Sequence, residues 1–158
     1  MIKVLFVCLG NICRSPMGEA VFRHKVIEAG LEGQIQVDSA GTGDWHIGDK
    51  PHKGTLGMLS HHGIDDQGLF ARQVNSRDFS DFDYIIAMDA SNVTNLQSFV
   101  QQGELNKANI YKMLDFLPES TVKDVPDPYF TGNFEEVYDM INKSSDRLLA
   151  HIRNQHQI

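Results

Sequence analysis

The stretch VCLGNICRSP, residues 7–16, begins where the apolar run IKVLFV of residues 2–7 ends. A nearly continuous run of β-branched and other apolar residues is typical of a parallel strand that is buried on both faces. Ser15 and Pro16 are a common N-cap and first-turn pair, so they predict a helix from Ser15 to about residue 29. A buried strand, a short loop and a helix in this order predict the first unit of a parallel α/β sheet.

The rest of the sequence continues the same alternation of strands and helices. We expect further strands at residues 35–39, 82–89 and 109–114, and further helices at residues 53–62, 91–102 and 134–155. Ser91 is the candidate cap of the helix that reaches about residue 102, and the segment KDVPDPYFTGNF, residues 123–134, is expected to be a loop. The pattern predicts a three-layer α/β fold, a four-stranded parallel sheet with helices on both faces. The length of 158 residues fits a single domain over residues 1–158. Ligands of such folds bind beyond the carboxyl ends of the strands, where residues 8–15 fall.

Composition and charge exclude several classes of protein. The formal net charge is −7, whereas nucleic-acid-binding proteins carry a basic face. The sequence has no apolar run of the roughly 18 residues that a membrane span needs, and its N-terminus lacks the basic leader of a signal peptide. A disulfide between Cys8 and Cys13 would close a loop of only a few residues and so would add little stability to the fold. Reactive thiols are typical of a reducing compartment. We therefore expect a cytoplasmic monomer without a nucleic-acid partner.

The loop after the first strand is suited to binding an anion. Gly10 and Asn11 tolerate a positive φ, so the backbone can curl with its N–H groups pointing inward. Inward N–H groups and the positive end of a helix dipole attract phosphate or a sulfate-like ion. Arg14 adds a planar guanidinium that binds two phosphate oxygens at once. The expected binding residues of this loop are Leu9, Gly10, Asn11, Ile12, Cys13 and Ser15.

Cys8 is the candidate nucleophile of this loop. A helix N-terminus and a nearby cation favour the ionised form of a thiol, so we expect Cys8 to be a thiolate at neutral pH, with Ser15 able to donate its hydroxyl to the sulfur. The alternative is that Cys8 and Cys13 are small buried side chains. The ordered combination of a thiol, turn residues, an arginine and a serine–proline helix start favours the chemical interpretation.

The segment VCLGNICRSPMGEA resembles the active-site loop, C-x5-R-S, of the low-molecular-weight protein tyrosine phosphatases. The segments VDSAGT, HGI, ARQV, FDYIIAMDASN and DPYF follow in the order of that family, and the length agrees. The resemblance implies the four-stranded phosphatase fold, no metal or other cofactor, and hydrolysis of phosphotyrosine in proteins through a phosphocysteine intermediate. It implies that Cys8 is the nucleophile and that Arg14 binds the phosphate.

Asp127, in VPDPYF, is the candidate general acid. Pro126 and Pro128 restrict its backbone and aim its carboxyl group, and a bound phosphate would favour the protonated form that donates to the departing oxygen. A proline–aspartate–proline segment is by itself more often only a rigid turn. The phosphate loop at Cys8 favours the catalytic interpretation, and the family resemblance gives Asp127 the same role.

Trp45 and Tyr129 are the candidate walls of a slot for an aryl ring, because each has a flat apolar face. The alternative for Trp45 is a partly buried core residue. The family places loop aromatic residues at both positions. Phe130 stands where many members have a second tyrosine, which places regulation through a phosphorylated tyrosine pair in question.

Three residues match family positions that brace the phosphate loop by hydrogen bonds: Asn11, Ser15 and Ser39. Leu69 stands where the family often has a histidine of that brace, so we expect a smaller or differently completed network.

Cys13 suggests a redox role, in which it traps an oxidised Cys8 as a disulfide. The alternative is that Cys13 only fills space.

Four other functions compete with the tyrosine phosphatase. Arsenate reductases that share the loop need further cysteines, and none follows Cys13. An arginine phosphatase of the same fold has threonine at the position of Ile12, and the apolar Ile12 favours an aryl ring. A phosphocysteine carrier domain of a sugar-transport relay has no need of Arg14 or Asp127, and phosphopeptide-binding modules usually lose the nucleophile or the acid.

The seven histidines have no ligand spacing and are expected on the solvated surface, so no metal site is predicted.

Overall fold

A computed structural model describes residues 1–100 and 106–158 of the protein. In these residues, four parallel strands form one sheet: β1 (Ile2–Cys8), β2 (Ile35–Gly41), β3 (Tyr84–Ala87) and β4 (Asn109–Lys112). Their spatial order is β2–β1–β3–β4, so β1 lies between β2 and β3. The register aligns Cys8 with Gly41, which brings the ends of β1 and β2 to one edge.

Helices connect the strands and cover both faces of the sheet. They are α1 (Arg14–Glu28), α2 (Lys53–His61), α3 (Asp78–Asp81), α4 (Ala90–Leu96), α5 (Pro128–Thr131) and α6 (Phe134–His156). Short 3-10 turns follow at Gln97–Phe99 and Met113–Phe116. The predicted α/β fold with a four-stranded parallel sheet is confirmed. Within the described residues, no helix has the length and apolar character needed to cross a bilayer.

The core lies in two layers, one on each side of the sheet. Val4 and Phe6 of β1 pack with the apolar side chains of α1, α2 and α6. Leu5 and Val7 point to the opposite face, where Phe79 of α3 joins them. Successive side chains of a strand point to opposite faces, so burial of residues 4–7 requires helices on both sides. The first strand is therefore central and fixes the position of the loop that follows it.

Helix α6 is the clearest amphipathic element. Its residues Val137, Ile141, Leu148 and Ile152 are fully buried, and α6 packs against α1. The predicted helix at residues 134–155 is confirmed. The preceding segment, expected to be a loop, contains α5, because the carboxylate of Asp127 accepts a hydrogen bond from the N–H of Tyr129 at 3.1 Å and caps a single turn.

Two predicted helix caps are wrong. Ser15 lies inside α1, which begins at Arg14, and its hydroxyl contacts Cys8 Sγ instead of a backbone N–H of the first turn. Helix α4 is capped by Asp89, not by Ser91. The Asp89 carboxylate accepts from the N–H of Asn92 at 2.7 Å, and the Asn92 side chain accepts from the N–H of Asp89 at 3.2 Å. This reciprocal pair satisfies two donors at the helix start, which a serine at position 91 does not do.

Three element boundaries also differ from the sequence-based prediction. Strand β3 is limited to Tyr84–Ala87, and β4 ends at Lys112 because the N–H of Lys112 bonds Asp115 and turns the chain into a 3-10 helix. Helix α4 ends at Leu96, and the predicted helix end at residue 102 lies outside the described residues. Helix α3 was not expected from the sequence.

None of the seven histidines, all within the described residues, is buried, in agreement with the predicted surface positions, but several make specific contacts. His62 stacks on Tyr138 with ring centroids 3.9 Å apart, and His156 Nε2 lies 2.9 Å from the hydroxyl of Tyr84. His52 caps α2 by accepting a hydrogen bond from the N–H of Gly54. These rings pack on α6 or fix helix ends. Among residues 1–100 and 106–158, no group of three or more His, Cys, Asp and Glu side chains is placed to hold a metal ion.

Candidate active site

The loop between β1 and α1 curls around the sulfur of Cys8. Asn11 has a φ of 56°, in the left-handed region that it tolerates, whereas Gly10 does not adopt a positive φ. Gly10 instead permits a close approach, because a Cβ there would lie 3.3 Å from Cδ2 of His46. The Cys8 side chain is buried, and its Sγ accepts a hydrogen bond from the N–H of Asn11 at 3.3 Å. Ser15 Oγ lies 3.0 Å from the same sulfur.

A cavity of about 250 Å³ opens above this loop. It is lined by most of the residues predicted for the site: Cys8, Leu9, Gly10, Ile12, Cys13, Arg14, Trp45, Asp127 and Tyr129. His46 and Phe130 also line it, and sequence reasoning did not assign His46 to the site. Asn11, Ser15 and Ser39 are not among the lining residues, and the side chain of Asn11 donates to both serines.

Arg14 is a buried cation with acidic neighbours. Its Nη1 donates to Asp89 Oδ2 at 2.6 Å and to the carbonyl of Val125 at 3.0 Å, and its Nη2 donates to Asp127 Oδ2 at 3.4 Å. Burial alone would lower the pKa of Arg14, but the charge on Cys8, the hydrogen bond to Asp89 and the charge of Asp127 raise it above its usual value. The buried Nε–H finds no acceptor in residues 1–100 or 106–158, whereas a buried donor normally has a partner.

The mouth of the cavity is aromatic and exposed. The side chains of Trp45 and Tyr129 are 65% and 56% exposed, so Trp45 is not a core residue. The Trp45 ring lies against Gly43, where a Cβ would overlap it. The rings of Tyr129 and Phe130 meet edge to face with centroids 5.3 Å apart. These exposed aromatic side chains line the same cavity as Cys8, so they are positioned to contact an aryl group.

The sequence profile described as low molecular weight phosphotyrosine protein phosphatase matches residues 3–158. This chain belongs to that family. It is 54% identical over the full length of both chains to the low molecular weight protein-tyrosine-phosphatase YfkJ of Bacillus subtilis. The crystal structure of YfkJ superposes with a TM-score of 0.92, covering 98% of this chain and 96% of that one. The predicted family and cysteine-dependent phosphatase class are confirmed.

Two other relatives mark the breadth of the family. The low molecular weight protein-tyrosine-phosphatase PtpA of Staphylococcus saprophyticus is 49% identical, covering 96% of this chain and 94% of its own. The crystal structure of DARP, described as a Drosophila arginine phosphatase, is 35% identical with a TM-score of 0.89, covering 96% of this chain and 98% of its own. One fold therefore carries proteins named for two different phosphoamino acids.

The hydrogen-bonded brace of the phosphatase loop centres on Asn11. Its Nδ2 donates to Ser15 Oγ at 2.7 Å and to Ser39 Oγ at 3.0 Å, and its Oδ1 accepts from the N–H of Arg72 at 3.0 Å. Leu69 is buried in the core and takes no part in these bonds. Instead, Ser39 donates to Glu19 Oε1 at 2.6 Å. The network is thus completed differently, by an acidic side chain from α1.

Cys13 lies in the same cavity as Cys8, and both are free thiols. Burial, the charge on Cys8 and the charge on Asp127 raise the pKa of Cys13 to about 12, against a smaller opposing effect of Arg14. Cys13 therefore holds its proton at neutral pH. The two cysteines of the phosphatase are chemically unequal, although only five positions separate them.

Three residues of the site were not predicted from the sequence: Asp89, His46 and Glu19. Asp89 follows β3, the neighbour of β1, so its position at the carboxyl edge of the sheet was a usable signal. Glu19 is an acidic residue in the apolar segment MGEAVF at the start of α1, and a buried charge needs partners. His46 lies in an irregular loop, where the sequence carries no signal for its contact with Gly10.

Proposed function

We propose that the protein hydrolyses phosphotyrosine in proteins, and small aryl phosphates, through a phosphocysteine intermediate. The observation that carries this proposal is the convergence of Cys8, Arg14 and Asp127 on one cavity with an aromatic mouth. A nucleophile, an anion-binding cation and a carboxyl group within one pocket are the groups that phosphomonoester transfer requires.

In the first step, the Cys8 thiolate attacks phosphorus and forms a P–S bond while the P–O bond to the phenol breaks. The departing oxygen takes a proton from Asp127, so tyrosine leaves as a neutral phenol. Arg14 and the N–H groups of residues 9–14 bind the equatorial oxygens, whose negative charge they stabilise. The buried Nε–H of Arg14, which has no acceptor among the described residues, supports this role.

In the second step, Asp127 acts as a base. It accepts a proton from water, whose oxygen attacks phosphorus as the P–S bond breaks. Inorganic phosphate forms, and Cys8 regains its thiolate. The hydroxyl of Ser15, 3.0 Å from the sulfur, stabilises that thiolate as the leaving group.

The substrate class follows from the lining of the cavity. Ile12 presents an apolar side chain, and Trp45 and Tyr129 present ring faces, which favour the phenyl ring of phosphotyrosine over the polar guanidinium of phosphoarginine. We further propose that residues 1–158 act as one domain and as a cytoplasmic monomer, since reducing conditions keep Cys8 available. Sedimentation of the purified protein tests the monomer.

The test is hydrolysis of para-nitrophenyl phosphate and of a phosphotyrosine peptide, with a chelator present. Wild type is expected to turn over both. Cys8→Ser is expected to lose turnover while phosphate still binds, and retained turnover would refute the nucleophile. Asp127→Ala is expected to lose about 10²–10⁴-fold on phosphotyrosine and less on para-nitrophenyl phosphate, whose leaving group needs less protonation. A loss below tenfold on phosphotyrosine would contradict the role of the acid.

A further inference from the structure

We propose that Glu19 is a positioning residue, which anchors the far end of a hydrogen-bond chain that ends with Ser15 donating to the sulfur of Cys8. The chain runs from Glu19 through Ser39 and Asn11 to Ser15. This inference rests on the proposed function, because it concerns the thiolate that attacks phosphorus. Of these four residues, only Ser15 has a side chain that contacts the sulfur of Cys8, and Asn11 reaches the sulfur through its backbone N–H.

The first step of the argument is the orientation of Asn11. The N–H of Arg72 can only donate, and it lies 3.0 Å from the Asn11 oxygen. The amide nitrogen of Asn11 therefore faces the opposite way, and its two hydrogens go to Ser15 and Ser39. The side chain of Arg72 is itself held by Asp38 and Asp78, so this backbone donor is fixed in place.

The second step concerns the two hydroxyl groups, each of which has a single hydrogen. Ser39 Oγ accepts from Asn11, so its hydrogen is directed at Glu19, 2.6 Å away. Ser15 Oγ also accepts from Asn11, and its hydrogen has two possible acceptors. One is Cys8 Sγ at 3.0 Å and the other is the carbonyl of Ala40 at 3.5 Å, the limit of a hydrogen bond. The shorter contact makes Ser15 a donor to the sulfur.

The third step explains why the far end of the chain is a carboxylate. Glu19 is buried, and its two oxygens face two donors, Ser39 Oγ on one side and the Arg23 guanidinium on the other. Arg23 also donates to the carbonyl of Val37 at 2.7 Å, which holds it over Glu19. A carboxylate has two accepting oxygens, so each donor has an oxygen of its own.

The variant Glu19→Gln keeps the shape of the side chain and changes this pattern. Arg23 can only donate, so it selects the amide oxygen, and the amide N–H then faces Ser39 Oγ. Ser39 already accepts from Asn11, so two donors compete for it and its own hydrogen loses its acceptor. We expect the Asn11–Ser39 bond to weaken, so that the Asn11 side chain, which donates to Ser15, is held less firmly and the Ser15–Cys8 hydrogen bond weakens with it.

Glu19→Gln is expected to fold. Burial raises the pKa of Glu19 even though Ser39 and Arg23 act in the opposite direction, so folding does not favour its charged form. A neutral side chain of the same shape avoids burying a charge, while the Ser39 hydrogen left without an acceptor lowers the free energy of unfolding. The melting temperature is therefore expected to fall by several degrees, with the protein still folded at room temperature. Glu28→Gln, a change of the same kind at an exposed position of α1, is the matched control.

The experiment measures alkylation of Cys8 by iodoacetamide as a function of pH, with kcat/KM for para-nitrophenyl phosphate alongside. For Glu19→Gln, we expect the pH of half-maximal alkylation to rise by about one unit and kcat/KM near neutral pH to fall about tenfold, the effect of weakening one hydrogen bond to a charged atom. Glu28→Gln is expected to change neither. An unchanged alkylation profile in folded Glu19→Gln overturns the proposal.

A double-mutant cycle separates the chain from a local effect of Glu19. Ser39→Ala removes the link, so Glu19→Gln is expected to add less than twofold in that background. A full tenfold effect there overturns the proposal. If Glu19→Gln does not fold, Ser39→Ala alone is expected to raise the pH of half-maximal alkylation. An unchanged alkylation profile in Ser39→Ala then overturns the proposal. Alkylation needs no turnover, so loss of the proposed phosphatase function in wild type is recognised separately.

Discussion

The guanidinium of Arg14 and the carboxylate of Asp89 form a short ion pair, with Nη1 2.6 Å from Oδ2. Arg14 follows β1 and Asp89 follows β3, and these strands are neighbours in the sheet. The pair therefore connects the phosphate loop to the next strand end. Asp89 also caps α4, so a single side chain stabilises a helix start and orients the cation of the site.

Asp89→Asn separates these two roles. Asparagine caps helices about as well as aspartate, so the melting temperature is expected to change little. The variant loses the charge that orients Arg14, and we expect kcat/KM for para-nitrophenyl phosphate to fall about 10–100-fold, the value of a hydrogen bond between charged groups. Asp139→Asn, on the exposed face of α6, is the control. Unchanged kinetics for Asp89→Asn would show that the ion pair does not position Arg14.

The fold was predictable because its signals are local. Apolar runs such as residues 2–7 mark buried parallel strands, and the spacing of Val137, Ile141, Leu148 and Ile152 marks a helix face. Caps were harder to predict, because Ser15 and Ser91 fit the cap pattern equally well in sequence. In the structure, the Ser15 hydroxyl contacts the sulfur of Cys8, and Asp89 caps α4 in place of Ser91. Neither arrangement is visible in the local sequence.

The site was predictable where it is contiguous. Residues 8–15 form one loop, so sequence order alone brings Cys8 and Arg14 together. Asp89 and Glu19 were missed because they reach the loop through packing, Asp89 from the neighbouring strand β3 and Glu19 from the buried face of α1. A sequence pattern shows that a buried charge needs a partner, but not which partner it has.

Gly41→Ala is expected to displace the phosphate loop. A Cβ at Gly41 would lie 2.8 Å from the carbonyl oxygen of Leu9 and 3.2 Å from the N of Asn11, and backbone atoms cannot move aside as a side chain does. We expect kcat/KM to fall at least about tenfold, since displacement by roughly 1 Å disrupts reactive geometry. Kinetics and inhibition by inorganic phosphate measure the effect.

The matched control for this change is Gly57→Ala. A Cβ at Gly57 meets nothing within 4 Å, and the residue lies inside α2. Alanine is the better helix former, so this variant is expected to gain about 0.5–1 kcal/mol in free energy of unfolding with unchanged kinetics. Equal kinetics for Gly41→Ala and Gly57→Ala would contradict the close contact at Gly41.

Ile12→Thr tests the choice between phosphotyrosine and phosphoarginine. Ile12 lines the cavity, and a hydroxyl there adds an acceptor for a guanidinium while removing apolar contact with a phenyl ring. We expect the ratio of kcat/KM for matched phosphotyrosine and phosphoarginine peptides to fall at least about tenfold. Ile12→Val keeps an apolar side chain and is expected to keep the preference for tyrosine. A ratio that is the same in both variants would show that position 12 does not set the selectivity.

Cys13 is expected to protect Cys8 from irreversible oxidation. Peroxide converts the Cys8 thiolate to a sulfenic acid and releases hydroxide, and attack by the Cys13 thiolate on that sulfur forms a disulfide and releases a second hydroxide; each hydroxide takes up a proton to give water. After peroxide treatment, dithiothreitol is expected to restore more activity in the wild type than in Cys13→Ser. Equal recovery in the two proteins would leave Cys13 as a side chain that only fills space.

The pH dependence of this reaction follows from the raised pKa of Cys13. Because that pKa is about 12, the thiolate fraction of Cys13 rises about tenfold per pH unit below it, and the rate of disulfide formation is expected to do the same between about pH 7 and 9. Conversion of Cys8 to a neutral sulfenic acid also removes one of the charges that raise the pKa of Cys13, so Cys13 ionises more readily after its partner is oxidised. Mass spectrometry of the peptide that contains both cysteines, quenched at intervals, measures the rate. A rate independent of pH would contradict the prediction, because the slow step would then not be ionisation of the Cys13 thiol.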